Sequence, residues 1–257
     1  MKKKDYGQEY QEMLEKQGYL FVNDPPAAVL EDKRYTYDDY LNWPEDERVE
    51  LIDGKIYFMA APSQKHQELL LEMGTRFNNY LHGKKCDVIV APFDVRIDFL
   101  IGNDSVVQPD VLVVCDKEKL ADGKSLKGAP DFIIEVVSPS NRSHDFVRKY
   151  NKYLEVGVRE YWIVDPMKEE VSVNLLTDDK THYLTNIFKK GDEIKVTILD
   201  DLTINITHLF DGYPGKEIVE VEQRVFEIAK NMLSQGVSIN IIASSTGLSE
   251  DDVKSLR

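Results

Sequence analysis

Residues 129–166 read APDFIIEVVSPSNRSHDFVRKYNKYLEVGVREYWIVDP. The run DFIIEVVS at 131–138 is short and nearly continuously apolar, the pattern of a central buried strand. HDFVRKYNKYLEVG at 144–157 predicts a helix ending at Gly157, introduced by the capping sequence Ser138-Pro139-Ser140. REYWIVDP at 159–166 predicts a second strand, stopped by Pro166. Glu135 interrupts the first strand. Alternate strand residues share a face, so Phe132, Ile134 and Val136 point one way, while Ile133, Glu135 and Val137 point the other. An ionised carboxylate on an apolar face needs a cation, a hydrogen-bond network or a proton. A strand-end glutamate paired with Arg or Lys would answer the same need. On the helix, Phe146, Tyr150, Tyr153 and Leu154 define the inward face, and Lys149 lies on it. Arg148, Lys152 and Glu155 fall on the opposite, solvated side. Lys149 therefore calls for a carboxylate or phosphate partner, or else snorkels to water.

Working outward, VVQPDVLVVCD at 106–116 predicts a strand opened by Asp110, a second carboxylate flanking apolar sequence. If the two strands are neighbours, Asp110 and Glu135 can converge on one hard cation; Mg²⁺ takes oxygen ligands. RVELIDGKIYFMA at 48–60 is a hairpin around Asp53-Gly54. Residues 63–82 form an amphipathic helix with Leu69, Leu70, Met73, Phe77 and Leu81 at helical spacing. Thr36 caps a short helix ending near Pro44. CDVIVA and FDVRID at 86–98 predict strands, and a polar loop with Gly123 and Gly128 follows residue 116. EEVSVNLL and HYLTNIF read as an antiparallel extension. This order of strands and helices predicts an α/β fold, a mixed β-sheet core flanked by helices.

Residues 5–20 predict an N-terminal helix, with a break at Pro25-Pro26-Ala27-Ala28. Residues 216–235 predict another helix, ended by Gly236, and two short helices follow around Thr246-Gly247, with Ser249 as cap and Asp252 in capping-box position. The expected domains are therefore 1–33, a helical extension; 34–213, the α/β core; and 214–257, a helix-turn-helix-like appendage.

The 257 residues carry a formal net charge of −14, which weighs against a broad phosphate-gripping surface while leaving room for a local basic patch. There is no long apolar run for a membrane span and no apolar stretch for a signal peptide. Two cysteines, Cys86 and Cys115, make no disulfide framework and lack metal-site spacing. A cytoplasmic protein without membrane association is expected. Phosphate-loop, dinucleotide-binding and zinc-helix motifs are absent, and Ser138-Pro139-Ser140 lacks the glycines of a nucleophile elbow. Tyr161 and Trp162 read as core rather than as base-stacking platforms.

Pro109-Asp110, followed at a strand's spacing by Glu135, resembles the PD-(D/E)XK nuclease superfamily. VELIDGKIYFMAAPSQKH at 49–66, APFDVRI at 91–97, QPDVLVV at 108–114 and the whole of 129–166 resemble, more closely, its Uma-two family of endonucleases. The resemblance spans roughly residues 34–210 and implies a restriction-endonuclease-like fold. It implies Asp110 and Glu135 as metal ligands, with the Val136 carbonyl and Glu50 completing the shell, and His66 as a catalytic candidate from its Ser-x-x-His position. The ordinary reading of Glu50 is a surface acid, and of His66 a capping or packing residue. Gln108 would orient the site or a substrate. The superfamily lysine two residues after the acid is here Val137, and Lys149 is the substitute the family pattern supplies.

The implied activity is phosphodiester hydrolysis, with DNA as substrate and Mg²⁺ as cofactor, Mn²⁺ able to replace it. Lys149 would stabilise charge developing on phosphorus. The rival reading is an inactive nuclease fold that binds nucleic acid or protein, with Asp110, Glu135 and Lys149 as a structural ion cluster. The tail resembles that of recombination-promoting nucleases, but residues 216–257 hold five Lys/Arg against seven Asp/Glu. That composition sets homodimerisation or docking beside DNA reading as its role.

Overall fold

The computed structural model describes residues 33–59, 61–100, 102, 104–137, 148–212, 227–246, 253–254 and 256. The helix expected at 5–20, the break at 25–28, the cap at 138–140, Phe146, the first part of the 216–235 helix and the turn with Ser249 and Asp252 lie outside them. The elements in chain order are α1 (Tyr37–Leu41), β1 (Val49–Ile52), β2 (Lys55–Phe58), α2 (Gln64–Leu81), β3 (Asp87–Val90), β4 (Asp94–Arg96) and β5 (Val111–Val114). They continue with β6 (Ser125–Lys127), β7 (Phe132–Val136), α3 (Tyr150–Val156), β8 (Glu160–Asp165), β9 (Glu170–Leu176) and β10 (Tyr183–Lys189). Two short strands, β11 (Glu193–Lys195) and β12 (Thr203–Asn205), and α4 (Ile206–Asp211) close the core.

Six strands form the central sheet in the order β10-β9-β8-β7-β5-β3. It is mixed: β7 runs parallel to β8, and the other neighbours are antiparallel. Alternation along β7 decides what each face packs against. Phe132, Ile134 and Val136 join Leu69, Leu70, Met73, Phe77 and Leu81 of α2 in one apolar cluster. Phe132 lies 4.9 Å from Phe77 and 5.3 Å from Trp162, ring centre to ring centre. Fully burying one such side chain is worth about 1.5–3 kcal/mol. Ile133 and Val137 face the opposite way, into a cluster with Tyr150, Tyr153, Tyr161 and Val95. Gly74 lets α2 descend onto the sheet edge, because a Cβ there would meet Val90 Cγ1 at 2.8 Å.

β1 and β2 form the expected hairpin. Asp53 and Gly54 turn it with φ of 50° and 72°, the left-handed pair that such a two-residue turn requires. Thr36 caps α1 through a capping box with Asp39. The polar loop after β5 is more ordered than its composition suggests: it holds a 3₁₀ turn at Lys117–Leu120 and β6, which pairs parallel with β4. Cys86 and Cys115 flank the paired residues Asp87 and Val114 and are joined as a disulfide, a pairing the cysteine count did not anticipate.

The chain divides into two compact units, Met1–Phe210 and Asp211–Arg257. In the second, residues 227–234 and Ile239–Thr246 are helical. Ala229, Ile242 and Val253 form its small core.

Candidate functional site

The β5–β7 ladder ends with Val111 paired to Ile134; Asp110 and Glu135 are the next residues beyond that last pair, and alternation puts Glu135 on the face that carries Ile133 and Val137. The Val136 N–H donates to Asp110 Oδ2 at 2.7 Å, binding the end of one strand to the acid of the next. Glu135 is buried, 4 % exposed, as its place in an apolar strand requires.

Helix α3 supplies the compensating charge. Lys149, at its entrance, is 2 % exposed, and its Nζ lies 2.9 Å from Glu135 Oε1 and 3.0 Å from Glu50 Oε1. One turn later the Tyr153 hydroxyl donates to Glu135 Oε1 at 2.6 Å. Glu50 comes from β1 and is buried rather than surface-exposed; its Oε1 also accepts the Gln108 N–H at 2.7 Å. His66 lies in the first turn of α2, where its N–H bonds the Ser63 Oγ cap at 3.2 Å. Its Nε2 reaches Asp110 Oδ2 at 3.1 Å. Thus Glu135, Glu50 and Lys149 form one buried ion cluster, and Asp110 and His66 form a pair tied to the end of the same strand through the Val136 N–H. Val137, where the superfamily lysine would stand, is 1 % exposed and part of the apolar core; the ammonium beside Glu135 comes from Lys149 instead.

Three sets of contacts leave no signal in the sequence. The spacing marks the Tyr153 ring as core but not its hydroxyl bond to Glu135. Gln108 Nε2 donates to Asp94 Oδ1 at 2.9 Å, and the Tyr40 hydroxyl donates to the same oxygen at 2.8 Å. Burial first, and the Asp94 charge second, hold the Tyr40 hydroxyl well above the usual tyrosine range.

The third is a correction. Lys152, expected on the solvated side of α3, is 5 % exposed. It pairs with Asp53 in the hairpin turn, Asp98 and Glu155. The wheel angle placed it outward, but the hairpin and the loop after β4 cover that side. Asp53, Asp98 and Asp104 have carboxylate oxygens within 4.8 Å of one another, the one such acidic trio among the described residues. Arg34 pairs with Asp104 at 2.8 Å, and the Ser105 N–H donates to Asp98 at 3.1 Å. Burial raises the Asp98 pKa. Burial also works against the Asp104 charge, but hydrogen bonds from Arg34 and Asp98 outweigh it and lower that pKa. For Lys152, burial opposes the ammonium, yet the bond to Asp53 and the charges of Asp53, Asp98 and Glu155 raise its pKa. This second cluster therefore carries its own cations.

Residues 37–207 match the family described as "Uma2: Putative restriction endonuclease". The chain belongs to the Uma2 family. Residues 222–257 match the C-terminal HTH domain of the Rpn/YhgA-like nuclease family. A Synechocystis sp. protein named "Uncharacterized protein slr1290" is 27 % identical over 164 residues, 62 % of this chain and 83 % of that protein. The fold is similar to that of a crystal structure described as "a putative nuclease belonging to DUF820" from Anabaena variabilis. The TM-score is 0.58 and the identity 22 %, covering 69 % of this chain and 98 % of the other. The Uma2 domain thus has a nuclease-type mixed α/β fold, and nothing in the described helices is long and apolar enough to cross a membrane.

Proposed function

We propose that this Uma2-family protein is a cytoplasmic, Mg²⁺-dependent endodeoxyribonuclease that hydrolyses phosphodiester bonds in DNA, with Mn²⁺ able to replace Mg²⁺. The observation that supports this reading is that Asp110 and Glu135 both lie at the end of the β5–β7 ladder, joined by the Val136 N–H bond to Asp110. The donor set suits a hard divalent cation: two carboxylates, Glu135 and Glu50, meet one lysine, and a third, Asp110, is tied to the same strand end through the Val136 N–H. All are oxygen ligands, and a net negative charge in a buried site favours a cation. Asp110 and Glu135 would hold it, with Glu50 and the Val136 carbonyl as further ligands. When bound, it supplies Lewis-acid polarisation of the scissile phosphate.

The chain's own groups do the rest. Lys149 places a positive charge beside the ligands, where charge builds on the phosphate during attack. His66 pairs with Asp110, and would orient that carboxylate and exchange a proton with the attacking water or the leaving oxygen. The apolar wall of Ile133, Val137 and Tyr153 keeps the local dielectric low, which strengthens each of these interactions.

A second reading has its own support. Lys149 is ion-paired on two sides and nearly fully buried, as in a structural ion cluster, and the net charge of −14 disfavours broad DNA contact. In that case the domain binds nucleic acid or protein without cutting. The C-terminal HTH-type unit would then serve DNA contact, docking or homodimerisation. Incubating the full chain with supercoiled plasmid, single-stranded DNA and RNA, with and without Mg²⁺ or Mn²⁺, separates the readings. Cation-dependent cutting of DNA, lost in Glu135→Gln, supports the nuclease. Binding without cutting of any substrate supports the module.

A further inference from the structure

Tyr153 is fully buried, and a phenylalanine would fill the same space. Its ring packs edge-on against Tyr161, with centres 4.9 Å apart and planes at 85°. Tyr161 lies on β8 beside Ile133 of β7, so the core fixes the ring directly alongside the strand that carries Glu135. The hydroxyl has a demand the ring does not: a buried O–H left without an acceptor destabilises the fold by its lost hydration. It meets that demand on Glu135 Oε1 at 2.6 Å, the short length of a hydrogen bond to a charged acceptor. Lys149, one helical turn earlier, donates to the same oxygen at 2.9 Å. Both donors leave one face of one short helix and converge on one atom. Lys149 also pulls toward Glu50, so the lysine alone does not fix the Glu135 carboxylate; the tyrosine adds a second, rigid direction.

We propose that Tyr153 is a positioning residue for the cation site: by pinning Oε1 of Glu135 together with Lys149, it sets the orientation in which that carboxylate meets a divalent cation. This rests on the nuclease reading above. A hydrogen-bonded partner behind a metal-ligating carboxylate is worth about 10–100-fold in metal affinity or activity.

The test uses the full chain as wild type, Tyr153→Phe and Tyr150→Phe. Tyr150 is a control on the same helix, whose ring packs 5.2 Å from Tyr183 and whose hydroxyl bonds Thr185 and the Tyr183 backbone. Calorimetric titration with Mn²⁺ is run without DNA, and cleavage kinetics are measured on a defined duplex. Tyr153→Phe is expected to weaken Mn²⁺ binding by about tenfold or more, and to lower kcat with KM for DNA unchanged. Tyr150→Phe is expected to keep wild-type Mn²⁺ affinity. A thermal-unfolding double-mutant cycle of Tyr153→Phe with Glu135→Gln, in the absence of metal, is expected to show coupling between the two residues. If Tyr153→Phe binds Mn²⁺ and cleaves as wild type does, or if both tyrosine variants lose affinity equally, the inference about Tyr153 falls and the nuclease reading stands. A wild type that binds no Mn²⁺ overturns both.

Discussion

Helix α3 sends two lysines, three residues apart, into two carboxylate clusters built from the same parts. Lys149 meets Glu50 of β1 and Glu135 of β7; Lys152 meets Asp53 of the adjoining turn and Asp98 of the loop after β4. The clusters differ in what surrounds the charges. Around Lys149, both carboxylates are nearly fully buried, and Asp110 and His66 stand next to them. Around Lys152, Asp53 keeps 63 % of its side chain exposed, and Arg34 and the Ser105 N–H satisfy Asp104 and Asp98. The first buries two carboxylates against one lysine, while the second sets four carboxylates, Asp53 and Glu155 among them well exposed, against Lys152 and Arg34. Proximity of acids alone picks the second; burial picks the first.

The widest gap between the clusters should appear on removing each ammonium. Lys149→Met is expected to lower the cleavage rate by about 10²–10³-fold, measured at saturating Mg²⁺ on plasmid DNA. Lys152→Met is expected to leave the cleavage rate within a few-fold of wild type while lowering unfolding free energy by about 3 kcal/mol, read from urea denaturation. A large loss of cleavage in Lys152→Met, with stability intact, would erase the distinction.

Alkaline pH sharpens it next. Lys152 is held above its ordinary 10.5, so the stability it contributes is complete below that value and is lost as pH rises through its folded pKa. Burial pushes Tyr150 up to about 12 from 10.0 and raises Tyr183 in the same direction. Their folded forms likewise keep protons that the unfolded chain releases. Unfolding free energy should therefore fall as pH climbs from about 10 toward 12, and Lys152→Met should make that fall shallower. A fall of equal steepness in the variant would show that Lys152 contributes nothing to it. The smallest effect is expected at Asp53→Asn: an ion pair this exposed is worth about 1 kcal/mol or less, so a denaturation midpoint close to wild type is predicted.

What the sequence made legible follows from periodicity. The strand at 132–136 and the helix behind it announced themselves by spacing, and Glu135 and Lys149 stood out because each carries a charge on an apolar face. The same reasoning failed at Lys152. A helical wheel assigns an angle to a side chain, but only the tertiary arrangement decides that the β1–β2 hairpin covers that angle. Asp98 and Asp104 lie in a loop without periodicity, so no pattern tied them to Lys152. β6, β11 and β12 are three residues each, too short for alternation to register. The Cys86–Cys115 bond depends on the register of β3 against β5, which the composition of neither strand encodes. Tyr153 was legible as core, since its ring is core; the need of its hydroxyl appears only once Glu135 is placed beside it. Glu160 is similar. It is buried at the start of β8, accepts from Trp162 Nε1 at 2.8 Å and from the Ile198 N–H at 3.0 Å, and serves to tie the 196–199 turn to the sheet.

On the proposed function a divalent cation would be held by Asp110 and Glu135 rather than by the Asp53, Asp98 and Asp104 trio. Calorimetric titration of Mn²⁺ into wild type, Asp110→Ala/Glu135→Ala and Asp98→Asn/Asp104→Asn tests it directly. Binding lost in the first double variant and retained in the second is the predicted result; binding retained in the first and lost in the second would contradict the account.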